Sequence, residues 1–162
     1  MAVPISNPFG AAIVVQKNLA YVLAQDHLHI IEVADPFHPI QRASVGDVSN
    51  MSGMRVVDGR AYINHLGNMG ILDISVPTAP HWLGTYVPPS PTITDIDVSG
   101  SRAYLTLDTG GLDVVDVSNP MSPHEVGSAK PADRSLSVRV VNGIAYVGAW
   151  NSGVWVYRAP AS

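Results

Sequence analysis

The sequence predicts an all-β fold made of four repeated units, a β-propeller of four-stranded blades about 42 residues long, and three observations carry that expectation. Ala-Tyr pairs return at Tyr21, Tyr62, Tyr104 and Tyr146, at intervals of 41, 42 and 42 residues. A two-residue turn signal stands just before each pair: Lys17-Asn18, Asp58-Gly59, Ser99-Gly100 and Asn142-Gly143. Downstream, double-proline corners recur at Asp35-Pro36-Phe37-His38-Pro39, Val76-Pro77-Thr78-Ala79-Pro80 and Asn119-Pro120-Met121-Ser122-Pro123, with a fourth begun at Ala159-Pro160.

Each repeat divides into four strands. The first, A, is read at 12–15, 53–57, 95–98 and 137–141, and the turn signals close it to a second, B, that carries Ala-Tyr. Asp-Gly and Asn-Gly are the strongest tight-hairpin signals, because both residues tolerate positive φ. The third, C, is read from its β-branched content at 29–33, 71–75, 112–117 and 154–157. Proline lacks an N–H, so the corners must lie at strand ends outside the ladder. A short run with a Val/Leu-Gly step then forms D: Val45-Gly46, Leu83-Gly84 and Val126-Gly127. A β-sandwich would not require Tyr, Gly and Pro to return at a constant interval. The chain is thus expected to be one propeller domain over 1–162, with repeats at 10–48, 49–89, 90–131 and 132–162 plus 1–9.

Composition narrows the function classes. Charged residues make up 14% of the chain and hydrophobic ones 46%, with 14 Gly and 13 Pro, a turn-rich β composition. A formal net charge of -4 and the lack of any Lys/Arg run argue against nucleic acid as a partner. No apolar stretch reaches the roughly 18 to 20 residues of a membrane span. The start Met1-Ala2-Val3-Pro4 lacks the features of a signal peptide. With no cysteine, disulfides and thiolate metal sites are excluded.

The run Gly111-Leu112-Asp113-Val114-Val115-Asp116-Val117-Ser118-Asn119-Pro120-Met121-Ser122-Pro123, after Ala103-Tyr104-Leu105, resembles the LVIVD repeat of bacterial and archaeal β-propeller proteins. The third repeat carries the pattern best; the first and second depart from it at the turn before strand C, and the fourth lacks its last strand. The resemblance implies a propeller, often extracytoplasmic and often of unknown function, and implies no catalytic residues.

The repeats are offset. The last stops after strand C, while Val3 stands as far before Tyr21 as Ser128 of the third D strand stands before Tyr146. The N-terminal segment is therefore expected to complete the last blade. Within one chain this gives a tight four-bladed ring; between two chains, head to tail, it gives an eight-bladed ring, the reading favoured here; a subunit of a larger assembly is the third possibility.

Candidate sites follow from strand parity. Six and eight residues before each Tyr the chain is always apolar: Val15 and Ile13, Val56 and Met54, Val98 and Ile96, Val140 and Val138, expected to form the core between blades. The alternate face, seven residues before, carries Val14, Arg55, Asp97 and Arg139, and nine before, Asp95 in the third repeat. A structural ion-pair set tying blades together is the expectation. An anion or polar-ligand site at the channel is the functional alternative. Asp95 and Asp97 could instead form a carboxylate pair for acid–base work or a cation. His27 and His29 share a strand face and His65 lies in the matching turn of the next blade, a weak pattern for a transition metal with no third ligand evident. The B-to-C turns share a face of the ring with the D-to-A loops, and there Trp150, Asn151, His65 and Asp108 are the interaction candidates. No phosphate-binding loop, nucleophile motif or Ca²⁺ loop occurs, and no cofactor is expected. The leading reading is a non-enzymatic interaction or assembly module whose partner is protein, the same chain included. The alternative is a small-ligand binder or enzyme using Arg55, Asp97 and Arg139.

Overall fold

Fifteen strands, all antiparallel to their neighbours, account for the regular structure of the computed structural model, which describes residues 10–24, 26–48, 53–90, 92–130 and 133–158. Blade 1 comprises β1 (Gly10–Gln16), β2 (Leu19–Ala24), β3 (His27–Glu32) and β4 (Ile40–Val45). Blade 2 comprises β5 (Met54–Val57), β6 (Arg60–His65), β7 (Asn68–Asp73) and β8 (His81–Tyr86). Blade 3 comprises β9 (Asp95–Ser99), β10 (Arg102–Thr106), β11 (Leu112–Asp116) and β12 (His124–Ala129). Blade 4 has three described strands, β13 (Ser135–Val141), β14 (Ile144–Ala149) and β15 (Gly153–Arg158). In every sheet spatial order follows chain order, so each blade is a meander. No helix occurs among the described residues, and therefore none long and apolar enough to cross a membrane. The N-terminal segment expected to complete blade 4, and the corner at Ala159-Pro160, lie outside the described residues.

Turn chemistry explains the hairpins. Asp58-Gly59 and Asn142-Gly143 have positive φ at both positions (48° and 74°, 51° and 73°), as a tight turn matched to strand twist requires. Strands C begin earlier than β-branched content suggests, at His27 and Asn68, and end by Glu32 and Asp73 rather than at 33 and 75. The end is chemical: Asp73 accepts the Ser75 N–H at 2.8 Å and Asp116 accepts the Ser118 N–H at 2.9 Å, and these side chains replace the ladder as the chain turns into the corner. The C–D ladder slips by a residue at the same place in three blades, Ile30/Ile31, Ile71/Leu72 and Val114/Val115, and such bulges raise local twist. The Gly of the D-strand step also has a steric reason in blade 2. A β-carbon on Gly84 would collide with the Pro120 carbonyl, so the blade 3 corner seats directly on this backbone.

The core lies between blades. One cluster joins Tyr21, Leu28 and Ile30 of blade 1 to Met54, Ala61, Ile63 and Leu72 of blade 2. A second joins Tyr62, Met69 and Ile71 to Ile96, Ala103, Leu105 and Val115. A third joins Tyr104, Leu112 and Val114 to Val138, Ala145 and Val147. Four blades thus share three clusters among the described residues. The expectation that all eight inner-strand positions are core is corrected at blade 1: Ile13 and Val15 are exposed, because among the described residues no blade packs on that strand face.

Candidate functional site

The innermost strands β5, β9 and β13 lie side by side but form no ladder with one another, so side chains must satisfy their facing backbone groups. Asp95 and Asp97, alternate residues of β9, do this. Asp95 Oδ2 accepts the Val138 N–H at 3.1 Å, and Asp97 Oδ2 accepts the Val140 N–H at 2.7 Å. Each carboxylate also takes an amide of its own strand, Ile96 N–H at 2.9 Å and Val98 N–H at 3.0 Å. Arg55 donates from Nε to Asp97 at 2.9 Å and from Nη1 to the Met54 carbonyl at 3.0 Å, with Nη2 3.9 Å from Asp95. Arg139 donates to Asp95 at 2.7 Å and to the Val138 carbonyl.

The buried Asp95, the half-buried Asp97 and the two guanidiniums therefore balance in charge, and each carboxylate also accepts an amide of the next blade. The set stitches blades 2, 3 and 4 together. Asp95 and Asp97 are already committed to amides and arginines, an arrangement suited to anchoring rather than to proton transfer. Blade 1 has Val14 at the equivalent place, and its tie to blade 2 comes from Gln16, whose Nε2 donates to the Val56 carbonyl at 2.5 Å.

On the loop-bearing face a second arrangement joins blades 3 and 4. The Asp108 carbonyl accepts the Ser135 N–H at 2.8 Å, and the Arg134 carbonyl accepts the Trp150 N–H at 3.0 Å, so B-to-C turns and the D-to-A loop are one hydrogen-bonded unit. The Arg134 guanidinium pairs with the Asp108 carboxylate and lies 5.6 Å from the centre of the Trp150 ring. Asp133 accepts the Asn151 N–H at 2.6 Å; that bond and the Arg134 N–H hold its carboxyl below the usual carboxylate range. Trp150 is exposed yet held in place. The structure thus brings together Trp150, Asn151 and Asp108.

His65 stands apart from this group: its Nδ1 meets the Asp47 carbonyl, and its ring lies 4.6 Å from that of Trp82. The ring of Trp82 has room there because Gly70 has no side chain. The His27 and His29 rings stack at 5.9 Å, and His27 pairs with Asp26 at 2.6 Å. Burial, then the neighbouring His27, pushes the His29 imidazole below its ordinary pKa, which disfavours the imidazolium. No group of three or more His, Asp or Glu placed to hold a metal ion occurs among the described residues.

Two groupings escaped the sequence reading. Asp133 and Arg134 lie in a polar loop with no turn or strand signature, and only the rule that D-to-A loops adjoin B-to-C turns could have pointed to them. Asp113, inside the repeat's own Leu-Asp-Val run, is buried, and the Tyr86 hydroxyl of blade 2 donates to its Oδ2 at 2.9 Å. Burial first, then the negative Glu125 nearby, pushes the Asp113 carboxyl up in spite of that bond. The Tyr86 hydroxyl is pushed up as well, mainly by burial.

Known structures share this architecture. The chain is similar to the computationally designed Ika4 protein at 13% identity with a TM-score of 0.75, over 97% of this chain and 96% of that one. It is similar to BamB from Moraxella catarrhalis at 9% identity and a TM-score of 0.73, over 90% of this chain and 43% of that one. It is similar to Hsv2p of Kluyveromyces lactis at 13% identity and a TM-score of 0.66, over 96% of this chain and 47% of that one. The chain thus spans under half the length of BamB and Hsv2p. No curated protein matches its sequence. At these identities the likeness establishes the β-propeller fold alone. The LVIVD repeat family matches residues 52–87 and 92–130, so blades 2 and 3 of this β-propeller chain are LVIVD repeats.

Proposed function

We propose that this protein is a non-enzymatic interaction module that binds a protein partner through its loop-bearing face, at the surface built from Trp150, Asn151 and Asp108. One observation carries the reading: Trp150 is exposed but pre-positioned, its ring under Arg134, which Asp108 holds in turn. Tryptophan and arginine are the side chains most enriched at energetically dominant contact points, and an anchor fixed before binding loses little entropy on docking. The alternative, a small ligand held by Arg55, Asp97 and Arg139, draws less support because those groups satisfy one another and the backbone.

A partner captured by the parent chain and identified by mass spectrometry should be lost with Trp150→Ala and weakened with Arg134→Ala, while Arg55→Ala retains it wherever the variant stays folded. Retention of the partner by Trp150→Ala would reject the loop face as the contact. A ligand or turnover lost in Arg139→Ala with the melting temperature unchanged would favour the channel instead. An extracytoplasmic location is carried over from the family resemblance, and fractionation of the source cells tests it.

A further inference from the structure

Every blade has a leading face, turned to the blade before, and a trailing face, turned to the blade after, and the repeat places the same positions on each. On the trailing face stand the repeat Tyr, its cross-strand partner on strand C, and the residue two before that partner: Tyr21, Ile30 and Leu28; Tyr62, Ile71 and Met69; Tyr104, Val114 and Leu112; Tyr146, Val156 and Val154. In blades 1 to 3 these nine residues are at most 5% exposed. In blade 4 the same three positions are 41%, 59% and 67% exposed.

The leading face differs between blades at its inner strand. Met54, Ile96 and Val138 are at most 1% exposed, whereas Ile13, at the same repeat position, is 65% exposed. Val15 beside it is 59% exposed, while Ala20 and Ile31 of the same face, matching Ala103 and Val115 of blade 3, are buried, so the leading face of blade 1 is open along its inner strand. The described residues therefore carry one uncovered socket, on blade 4, and one plug left open at its inner strand, on blade 1, of the contact made three times within the molecule. An exposed apolar face of this kind marks an association surface.

We propose that the occupant of both faces is a second copy of this chain, blade 4 of each copy seating on blade 1 of the other, head to tail, to close an eight-bladed ring. This contact is independent of the loop-face reading, since it uses neither Trp150 nor its neighbours. Three arguments select a second copy. The two faces are complementary to each other rather than to themselves, because every internal joint pairs a trailing face with a leading one. Among the described residues blade 4 does not seat on blade 1, since Val154 and Val156 on the one and Ile13 and Val15 on the other are exposed in the same molecule. Two copies give eight blades, within the usual four to eight of propellers, while three copies exceed it. A heterologous contact whose rotation closes gives a finite ring; one that does not close gives a filament.

The test is the mass in solution of the 162-residue chain by light scattering across micromolar concentrations. The parent is expected at twice its 17.2 kDa. Val156→Arg and Ile13→Arg, one on each face and both exposed, should each give single copies with the parent's far-UV circular dichroism; Val154→Arg serves where Val156→Arg does not fold. Mixing the Val156→Arg and Ile13→Arg proteins should restore a two-copy species, because one joint of the pair is then unsubstituted on both sides. A parent that stays a single copy, a filament, substituted chains that still pair, or a mixture that fails to re-form would each overturn the proposal. Trp150→Ala keeps the doubled mass, so loss of the loop-face partner and loss of the ring are read separately.

Discussion

The joint between blades 2 and 3 and the trailing face of blade 4 are written with the same repeat positions, yet one is buried core and the other faces water. Ile71 lies at the first and Val156 at the second, and both pair across to the repeat Tyr of their own blade. Their difference shows that burial in this fold is a property of the neighbour. A blade supplies half of each contact, and nothing in its own sequence says whether the other half is present.

The sharpest way to break the comparison is to truncate both positions. Ile71→Ala should destabilise the chain by about 2 to 4 kcal/mol, a large-to-small change in a filled core. Val156→Ala, measured at concentrations where single copies prevail, should cost under about 0.5 kcal/mol. Urea unfolding of both variants reads the difference directly, and equal costs would mean that the trailing face of blade 4 is covered within the chain.

Next in size are the polar ties. Tyr86→Phe should cost about 1 to 3 kcal/mol by removing the hydroxyl that the buried Asp113 accepts. Arg55→Ala should cost a similar amount, about 1 to 3 kcal/mol, by leaving half-buried Asp97 without its guanidinium. Gln16→Ala, at an uncharged tie between blades 1 and 2, should cost about 1 kcal/mol. The midpoint of urea unfolding ranks the three, and a Gln16 variant as costly as the Arg55 one would refute the charge-based ranking.

Asp113 adds a pH dependence with a definite sign. Its carboxyl titrates higher in the folded chain than in the unfolded one, so its contribution is fully present below the ordinary carboxylate range and is lost as pH rises through the elevated folded value. Asp113→Asn keeps an acceptor for Tyr86 without the charge. It should match or exceed the parent in stability at neutral pH, with the advantage shrinking as pH falls. An Asp113→Asn advantage that grows on acidification instead would contradict the assignment. The smallest effect is expected at Trp150→Ala, within about 0.5 kcal/mol in melting experiments, since an exposed indole adds little to the fold.

Much of the architecture was legible because it repeats. The Ala-Tyr interval, the Asp-Gly and Asn-Gly hairpins and the double-proline corners each state a local backbone requirement, and the four meanders follow from them. The inner-strand pattern of Arg55, Asp97 and Arg139 was visible by parity, and an ion-pair set was the expectation. What parity could not supply was the partnership: Arg139 meets Asp95 rather than Asp97, and Asp97 instead accepts an amide from the next strand. The Arg134 and Tyr86 contacts were invisible for the same reason, since each partner lies in another blade, 26 and 27 residues away.

The sequence by itself determined the blade: its strands, turns, apolar faces and period all come from short-range backbone and side-chain preferences written out four times. Only the tertiary structure decided which of those equal faces are covered, because covering depends on how far the arc of blades extends. Ile13 and Met54 occupy one repeat position, and the geometry of stacking alone leaves the first in water and puts the second in the core.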